Sequence, residues 1–243
     1  MKRTLLFIAL TPMWLAFSAC DRRGENSATP PAPDLKTGEK GDIPILPVKT
    51  GDTWIYDVDL LIPGDVTSPG ASEVHTNYRR TRVYLGKVAA ADGLPPTDCF
   101  EVSVPGSPRE REFVEIHADR ILMRGSLILH SETTKPMWLD TPVLFVEAGM
   151  RAGTGSPELD IGGGALTRKT QVIAREEITA PAGRFACIRI LTTGRDGDIE
   201  LRQTRWFSPG NGIIREEKSR YRDGRLIYRE NQQLAKLQRA ADA

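Results

Sequence analysis

Apolar and polar residues alternate along most of this chain. In Thr53-Trp54-Ile55-Tyr56-Asp57-Val58-Asp59-Leu60, every second residue (Trp54, Tyr56, Val58, Leu60) is apolar or aromatic. That is the period of a half-buried strand. Further strand-like stretches follow at short spacing: 76–88, 98–104, 111–118 and 120–130, then 166–178, 185–193, 198–207, 212–222 and 225–231. Gly and Pro punctuate most of the joints. Asp223-Gly224 between the last two is a type I′ hairpin signal. A helical reading is confined to residues 230–240, which predict a short C-terminal helix. The fold class that follows is all-β: antiparallel meanders forming a sandwich or an open half-barrel, with that helix at the end.

The strand pattern also repeats. Thr81-Arg82-Val83-Tyr84-Leu85 precedes Cys99-Phe100-Glu101-Val102, much as Thr170-Gln171-Val172-Ile173-Ala174 precedes Cys187-Ile188-Arg189-Ile190. Val83 and Val172 are 89 residues apart, and Cys99 and Cys187 are 88 apart. A period of about 90 is too long for a solenoid repeat. It suits two similar meanders, with halves 48–140 and 141–243 of one globular domain.

The first 19 residues do not belong to that domain. Lys2 and Arg3 form a basic start, and residues 5–16 form an apolar run. Phe17-Ser18-Ala19-Cys20 then resembles the lipobox of bacterial lipoproteins. The resemblance implies export, cleavage before Cys20, and acyl chains such as palmitate on Cys20. An ordinary secretory cleavage site fits poorly, because Phe17 is bulky where a small residue is wanted. A membrane-spanning helix fits poorly too, because the run is short and contains Thr11 and Pro12. Residues 20–47 then read as the lipidated cysteine and a disordered tether, polar at first and with Pro30-Pro31-Ala32-Pro33 inside it. The folded body is expected over 48–243. Asp21, after the cysteine, leans the expected location to the inner membrane, facing the periplasm.

Charge and chemistry narrow the function classes. Without residues 1–19, which hold Lys2 and Arg3 and no acid, the formal charge moves from +1 to −1. That balance gives no case for nucleic acid. Besides Cys20, Cys99 and Cys187 remain; they read either as a disulfide permitted by export or as two separate thiols. His75, His117 and His130 lack metal-ligand spacing, so no metal site and no cofactor is expected. Gly153-Thr154-Gly155-Ser156-Pro157 and Gly162-Gly163-Gly164 lack the Gly-Lys-Ser/Thr of a phosphate loop. No Gly-x-Ser-x-Gly elbow occurs. The charged residues Arg109–Glu115 and Arg215–Arg222 read as a solvated sheet face.

Trp206-Phe207-Ser208-Pro209-Gly210-Asn211-Gly212 is the most distinctive internal motif. Pro209 presets φ, and Gly210 and Gly212 permit positive φ, so it reads as a tight turn between strands. With Gly183-Arg184-Phe185 before it, residues 170–231 resemble poorly characterised exported bacterial β-sheet proteins. That resemblance implies a fold and no known activity. Trp206 is either an aromatic anchor beside the turn or a ligand platform. Taken together, the chain reads as a non-enzymatic binding or assembly module held at a membrane surface by its lipid, its partner an envelope protein or lipid. The rival reading is a carrier of lipid or lipoprotein acyl chains, with Trp54, Tyr56, Val58 and Leu60 lining a half-barrel cavity.

Overall fold

In the computed structural model the described residues are 44–64, 70–89, 96–129, 136–156, 159–160 and 166–241. Cys20 and the signal segment lie outside them. Alternation is what makes the strands: each presents an apolar side to its neighbours and a polar side outward. The strands are β1 (Thr53–Ile62), β2 (Val74–Val88), β3 (Thr97–Ser103), β4 (Arg109–Ile116), β5 (Arg120–Leu129), β6 (Met137–Glu147), β7 (Leu159–Asp160), β8 (Leu166–Ala180), β9 (Gly183–Asp196), β10 (Ile199–Ser208), β11 (Gly212–Arg222) and β12 (Arg225–Gln238). They form one antiparallel sheet in the order β6-β5-β4-β3-β2-β1-β12-β11-β10-β9-β8-β7. Two meanders, β1–β6 and β7–β12, are joined by the pairing of β1 with β12. The strands of the sequence repeat, β2–β3 and β8–β9, lie six places apart along the sheet.

Residues opposed in an antiparallel ladder share a face. Tyr56 opposes Leu234 and Arg80, Gln232 opposes Glu216, and Glu216 opposes Arg205. Arg205 in turn opposes Ile190, and on the other side Tyr84 opposes Phe100, which opposes Glu112. These define an inner face running through both halves. The sheet curls about it until strands from its two ends meet. The Arg205 guanidinium lies 4.5 Å from the Phe145 ring of β6, and Phe145 stands 6.3 Å from Phe207. Arg175 of β8 donates to the carbonyls of Ala148 and Met150, just past β6. One end of the inner face is an apolar core built on Trp54, Tyr56, Phe100, Ile188, Phe207, Ile214 and Leu234.

Four features depart from the sequence reading. First, the expected C-terminal helix is absent: residues 225–238 form β12. Glu, Gln, Leu, Ala and Lys favour a helix in isolation. Here the segment alternates Glu230, Gln232 and Leu234 inward and meets two open ladders, those of β1 and β11. Tertiary pairing overrides propensity. Second, β6 was not foreseen. Pro142 and a register shift between Met123 and Gly125 break its pattern, which suits a sheet edge. Third, the body begins inside the expected tether. Ile45 and Leu46 are 5% and 2% exposed. Ile45 donates its N–H to the His117 carbonyl (3.0 Å) and accepts from the Gly210 N–H (2.8 Å). Asp52 fixes this strap by accepting from the N–H groups of Lys49 and Ala240 and from Arg239. Fourth, residues 153–156, outside every strand-like stretch of the sequence, line the outer edge of β8 through bonds to Thr170 and Val172.

The strand assignment of β12 makes neighbouring residues unequal. Leu234→Asp should destabilise by about 3 kcal/mol or more, because it buries a carboxylate among aromatic rings. Gln233→Asp, one residue away on the outer face, keeps its carboxylate in solvent, though opposite Asp57, and should cost about 1 kcal/mol or less. Urea titration of both variants checks this; equal losses would contradict the strand.

Candidate functional site

The Trp206–Gly212 motif is a structural anchor. Gly210 and Gly212 have φ of +81° and +91°. The turn they permit turns its backbone oxygens toward β1. Trp54 Nε1 donates to the Asn211 carbonyl (2.6 Å), and the Tyr56 hydroxyl donates to the Ile213 carbonyl (3.2 Å). A Cβ on Gly212 would stand 3.2 Å from Trp54 Nε1, whereas one on Gly210 would meet nothing within 4 Å. Pro209 precedes Gly210 in the turn between β10 and β11. Trp206 is 6% exposed; its Nε1 donates to Glu176 (2.7 Å) and Arg215 lies 4.9 Å over its ring. It is covered, and offers no open platform.

The two body cysteines do not pair. Both are free and buried. Cys99 sits on β3 in a small cluster with Phe113 and Leu127, and Cys187 sits on β9 beside the main core. They stand on β3 and β9, six places apart along the sheet and not paired with each other, and neither thiol is bonded. Burial raises the thiols to about 11 and about 12. His75 contacts Asp59 (2.7 Å), His117 contacts Glu115 (3.4 Å), and His130 lies outside the described residues. Among the described residues no group of three or more His, Cys, Asp or Glu is placed to hold a metal ion.

Four of the charges that the sequence places on a solvated face, Glu110, Glu112, Glu216 and Lys218, turn inward, while Arg109, Arg111, Arg215, Glu217 and Arg222 stay outside. Below the apolar core, the inner face carries Arg80, Arg82, Glu110, Glu112, Arg205, Glu216, Lys218 and Glu230 with Gln203 and Gln232. Glu216 accepts from Gln203 (2.6 Å), Arg205 (2.9 Å), Gln232 (2.9 Å) and Lys218 (3.0 Å). Glu230 accepts from Arg80 (2.6 Å), Tyr78 (2.8 Å), Tyr228 (3.0 Å) and Lys218 (3.3 Å). Arg82 pairs with Glu112 (2.8 Å) and lies 3.6 Å over the Phe100 ring. Each of the two central carboxylates thus uses its full acceptor capacity. Burial alone would raise their pKa values; Lys218 and its guanidinium neighbours more than offset this and hold both below the usual carboxylate range. Burial, then the nearby Arg205, lowers Arg168 to about 9.

Glu110 is the exception. Its Oε1 is buried without a hydrogen-bond partner among the described residues. Burial, then Glu112, pushes its pKa up to about 8 against the opposing pull of Lys218 and Arg80.

The outer face over the β1–β12 seam is different. Two rows of opposed side chains cross it: Asn77–Asp59–Asn231 and Arg79–Asp57–Gln233–Arg215. The β8–β9 turn walls one side, where Ala182 donates its N–H to the Leu234 carbonyl (3.1 Å). With Pro181 these residues line a depression of about 620 Å³. The carboxamides of Asn77, Asn231 and Gln233 have no hydrogen-bond partner among the described residues. The available sign of this surface was that Asn77, Asn231 and Gln233 fall in strands, where Asn is disfavoured.

Two outcomes are expected. Gly212→Ala should destabilise by about 1–3 kcal/mol and more than Gly210→Ala, since strain and the Trp54 contact both act there; thermal melts compare them. Glu110 releases its proton near 4.5 when unfolded and at about 8 when folded. The folded state therefore holds the extra proton in between, and this group makes stability fall as pH rises from about 5 to 8. Facing it are Glu112, Lys218, Arg80 and Glu230. Glu110→Gln should flatten that fall in urea midpoints measured against pH; an unchanged slope would count against the assignment.

No family model matches the sequence, and no curated protein matches it. Among solved structures, the chain is similar to a protein from Bacteroides fragilis described as exported and as having a YmcC-like fold, at 12% identity over 80% of this chain and 98% of that one, TM-score 0.47. It is also similar to a protein from Parabacteroides distasonis described as a lipoprotein, at 13% identity over 82% and 100% of the two chains, TM-score 0.36. At these scores neither likeness assigns this chain a role.

Proposed function

We propose that this chain is a non-enzymatic binding or assembly module of the bacterial cell envelope, held at a membrane surface by a lipid on Cys20 and facing the periplasm. One observation carries the reading: the interior of the curled sheet is filled. Trp54, Phe100, Arg205, Ile214 and Leu234 are fully buried, and the charges beside them are spent on one another. What remains for a partner is the surface, and the polar trough over the seam is a concave part of it whose carboxamides have no hydrogen-bond partner among the described residues. A lipid anchor suits such a module, because restriction to a surface raises the effective concentration of a weak binder. Asp21 after the anchor favours retention at the inner membrane.

The acyl-chain carrier is the weaker reading. Its cavity would be lined by Trp54, Tyr56, Val58 and Leu60, and all four are packed at 4% exposure or less. Charged rows Arg80–Glu230 and Arg205–Glu216 would also have to face the acyl chain. A form spanning residues 42–243, purified without detergent, should show its bare mass by native mass spectrometry. Near-stoichiometric acyl adducts would overturn the module in favour of the carrier. In cells full-length Cys20→Ser should stay unprocessed and lose its acyl label; metabolic palmitate labelling that persists in it would overturn the lipid anchor.

A further inference from the structure

We propose that the trough over the β1–β12 seam is a binding site for an uncharged, hydroxyl-rich chain: a saccharide. The proposal rests on the reading that this protein works by contact, and it names the ligand class.

The first ground is what the strands give up there. Asn77, Asp59 and Asn231 stand directly opposite one another on β2, β1 and β12. Asn and Asp are poor strand formers, and a cross-strand row of β-branched or aromatic residues would hold the seam better. This is the seam that joins the two meanders, so the loss falls where pairing matters most. The Asn77, Asn231 and Gln233 carboxamides recover nothing from other described residues. A local rule broken without an internal gain points to a role outside the fold.

The second ground is the chemistry of the lining. Carboxamides offer a donor and an acceptor side by side, carboxylates offer paired acceptors, and guanidiniums offer donor forks. Adjacent ring hydroxyls, each both donor and acceptor, match such planar groups two at a time. Asp57 contacts Arg79 (3.2 Å), Asp59 contacts His75, and Arg215 contacts Glu217, so the ionic groups are held in place by one another. Three strand spacings span the rows, on the order of 14 Å. The depression of about 620 Å³ lies within the range of ligand sites.

The third ground is what the lining disfavours. Asp57 and Asp59 balance Arg79 and Arg215, which gives no net attraction for a phosphate or a nucleic acid. The Tyr78 hydroxyl is committed inward to Glu230, leaving no aromatic or Met anchor of the kind that dominates protein interfaces. Val58, the lining's aliphatic strand residue, is buried on the inner face, so an acyl chain finds no apolar floor.

The test uses the full-length lipidated protein in a polyoxyethylene detergent, since sugar-based detergents would compete. Chitohexaose and maltohexaose are titrated calorimetrically up to about 10 mM, a weak-affinity range. Saturable binding to at least one is expected, unchanged between about 50 and 500 mM salt because the ligand is neutral. The N231A/Q233A double variant should weaken it at least tenfold with an unchanged melting midpoint. Arg215 covers Trp206, so binding should also shift tryptophan emission, and W206F should abolish that shift. No saturable binding to either probe, or binding indifferent to the double variant, overturns the saccharide. A photo-crosslinker placed at Asn77 in intact cells separates the two levels. A protein adduct without saccharide binding rejects the ligand class and keeps the contact reading. Neither adduct nor saccharide binding rejects both.

Discussion

The pairing of the first strand with the last is the contact on which the rest of this molecule depends. Without it, β1–β6 and β7–β12 would be two separate six-stranded sheets, each with an additional open edge. Tyr56 and Leu234, opposed in that ladder, are 178 residues apart. Closing so long a loop has a large entropic cost, though one that grows only slowly with length. The closure must therefore be rewarded by contacts that exist only when it forms. Those contacts are Trp54 with the Asn211 carbonyl, Tyr56 with the Ile213 carbonyl, Arg80 with Glu230 and Arg239 with Asp52. Each joins an end of the chain to the strand or turn that receives it. The seam also brings β2 within one intervening strand of β12 and two of β11, which assembles the interior charges.

Those interior charges are better understood as a constraint on register than as a source of stability. Buried ion pairs gain little net free energy after desolvation, while a broken one costs about 3–5 kcal/mol. A one-residue slip turns every side chain of a strand to the opposite face. For β11, a slip would expel Glu216 and Lys218 from the interior and bury Arg215 or Glu217 in their place. For β12, it would take Glu230 from Arg80, Tyr78 and Tyr228. The apolar core alone would tolerate some repacking; the charged rows would not. A long meander with many similar strands needs such a device more than most folds do, because its strands could otherwise pair in several registers.

The sequence reveals the strands through their alternation and reveals some joints through their chemistry. Asp223-Gly224 reads as a two-residue hairpin turn, and both residues have positive φ, 51° and 72°. Trp54, Tyr56, Val58 and Leu60 share the buried face that their spacing predicts. The failures have physical causes. The helix expected over 230–240 reflects real local propensity, which the open ladders of β1 and β11 outweigh. The charges of β11 looked solvated because charge alone was considered. Their phase tells otherwise: Glu216 and Lys218 keep step with Ile214, and Gln203 and Arg205 keep step with Phe207. Parity with a core residue was the available signal. The separation of Cys99 from Cys187 was not available, because equivalent positions in a repeat say nothing about whether the two halves stack or run on along one sheet.

The two faces of the seam divide the work. Inward, every polar group near β1 and β12 has a role in closure, and Glu110 shows what happens when one is left over: its pKa rises to about 8 to avoid an uncompensated charge. Outward, the same strands carry carboxamides with no internal duty. A surface placed on the seam is held from both halves at once, by β2 and β1 on one side and by β12 and β11 on the other. Its geometry is therefore as rigid as the closure itself. The strap at Ile45–Leu46 ties the chain leading from Cys20 into the β10–β11 turn that also receives Trp54 and Tyr56. The strap and the trough thus attach to the same closed unit, and a pull on one is borne by the hydrogen bonds that fix the other.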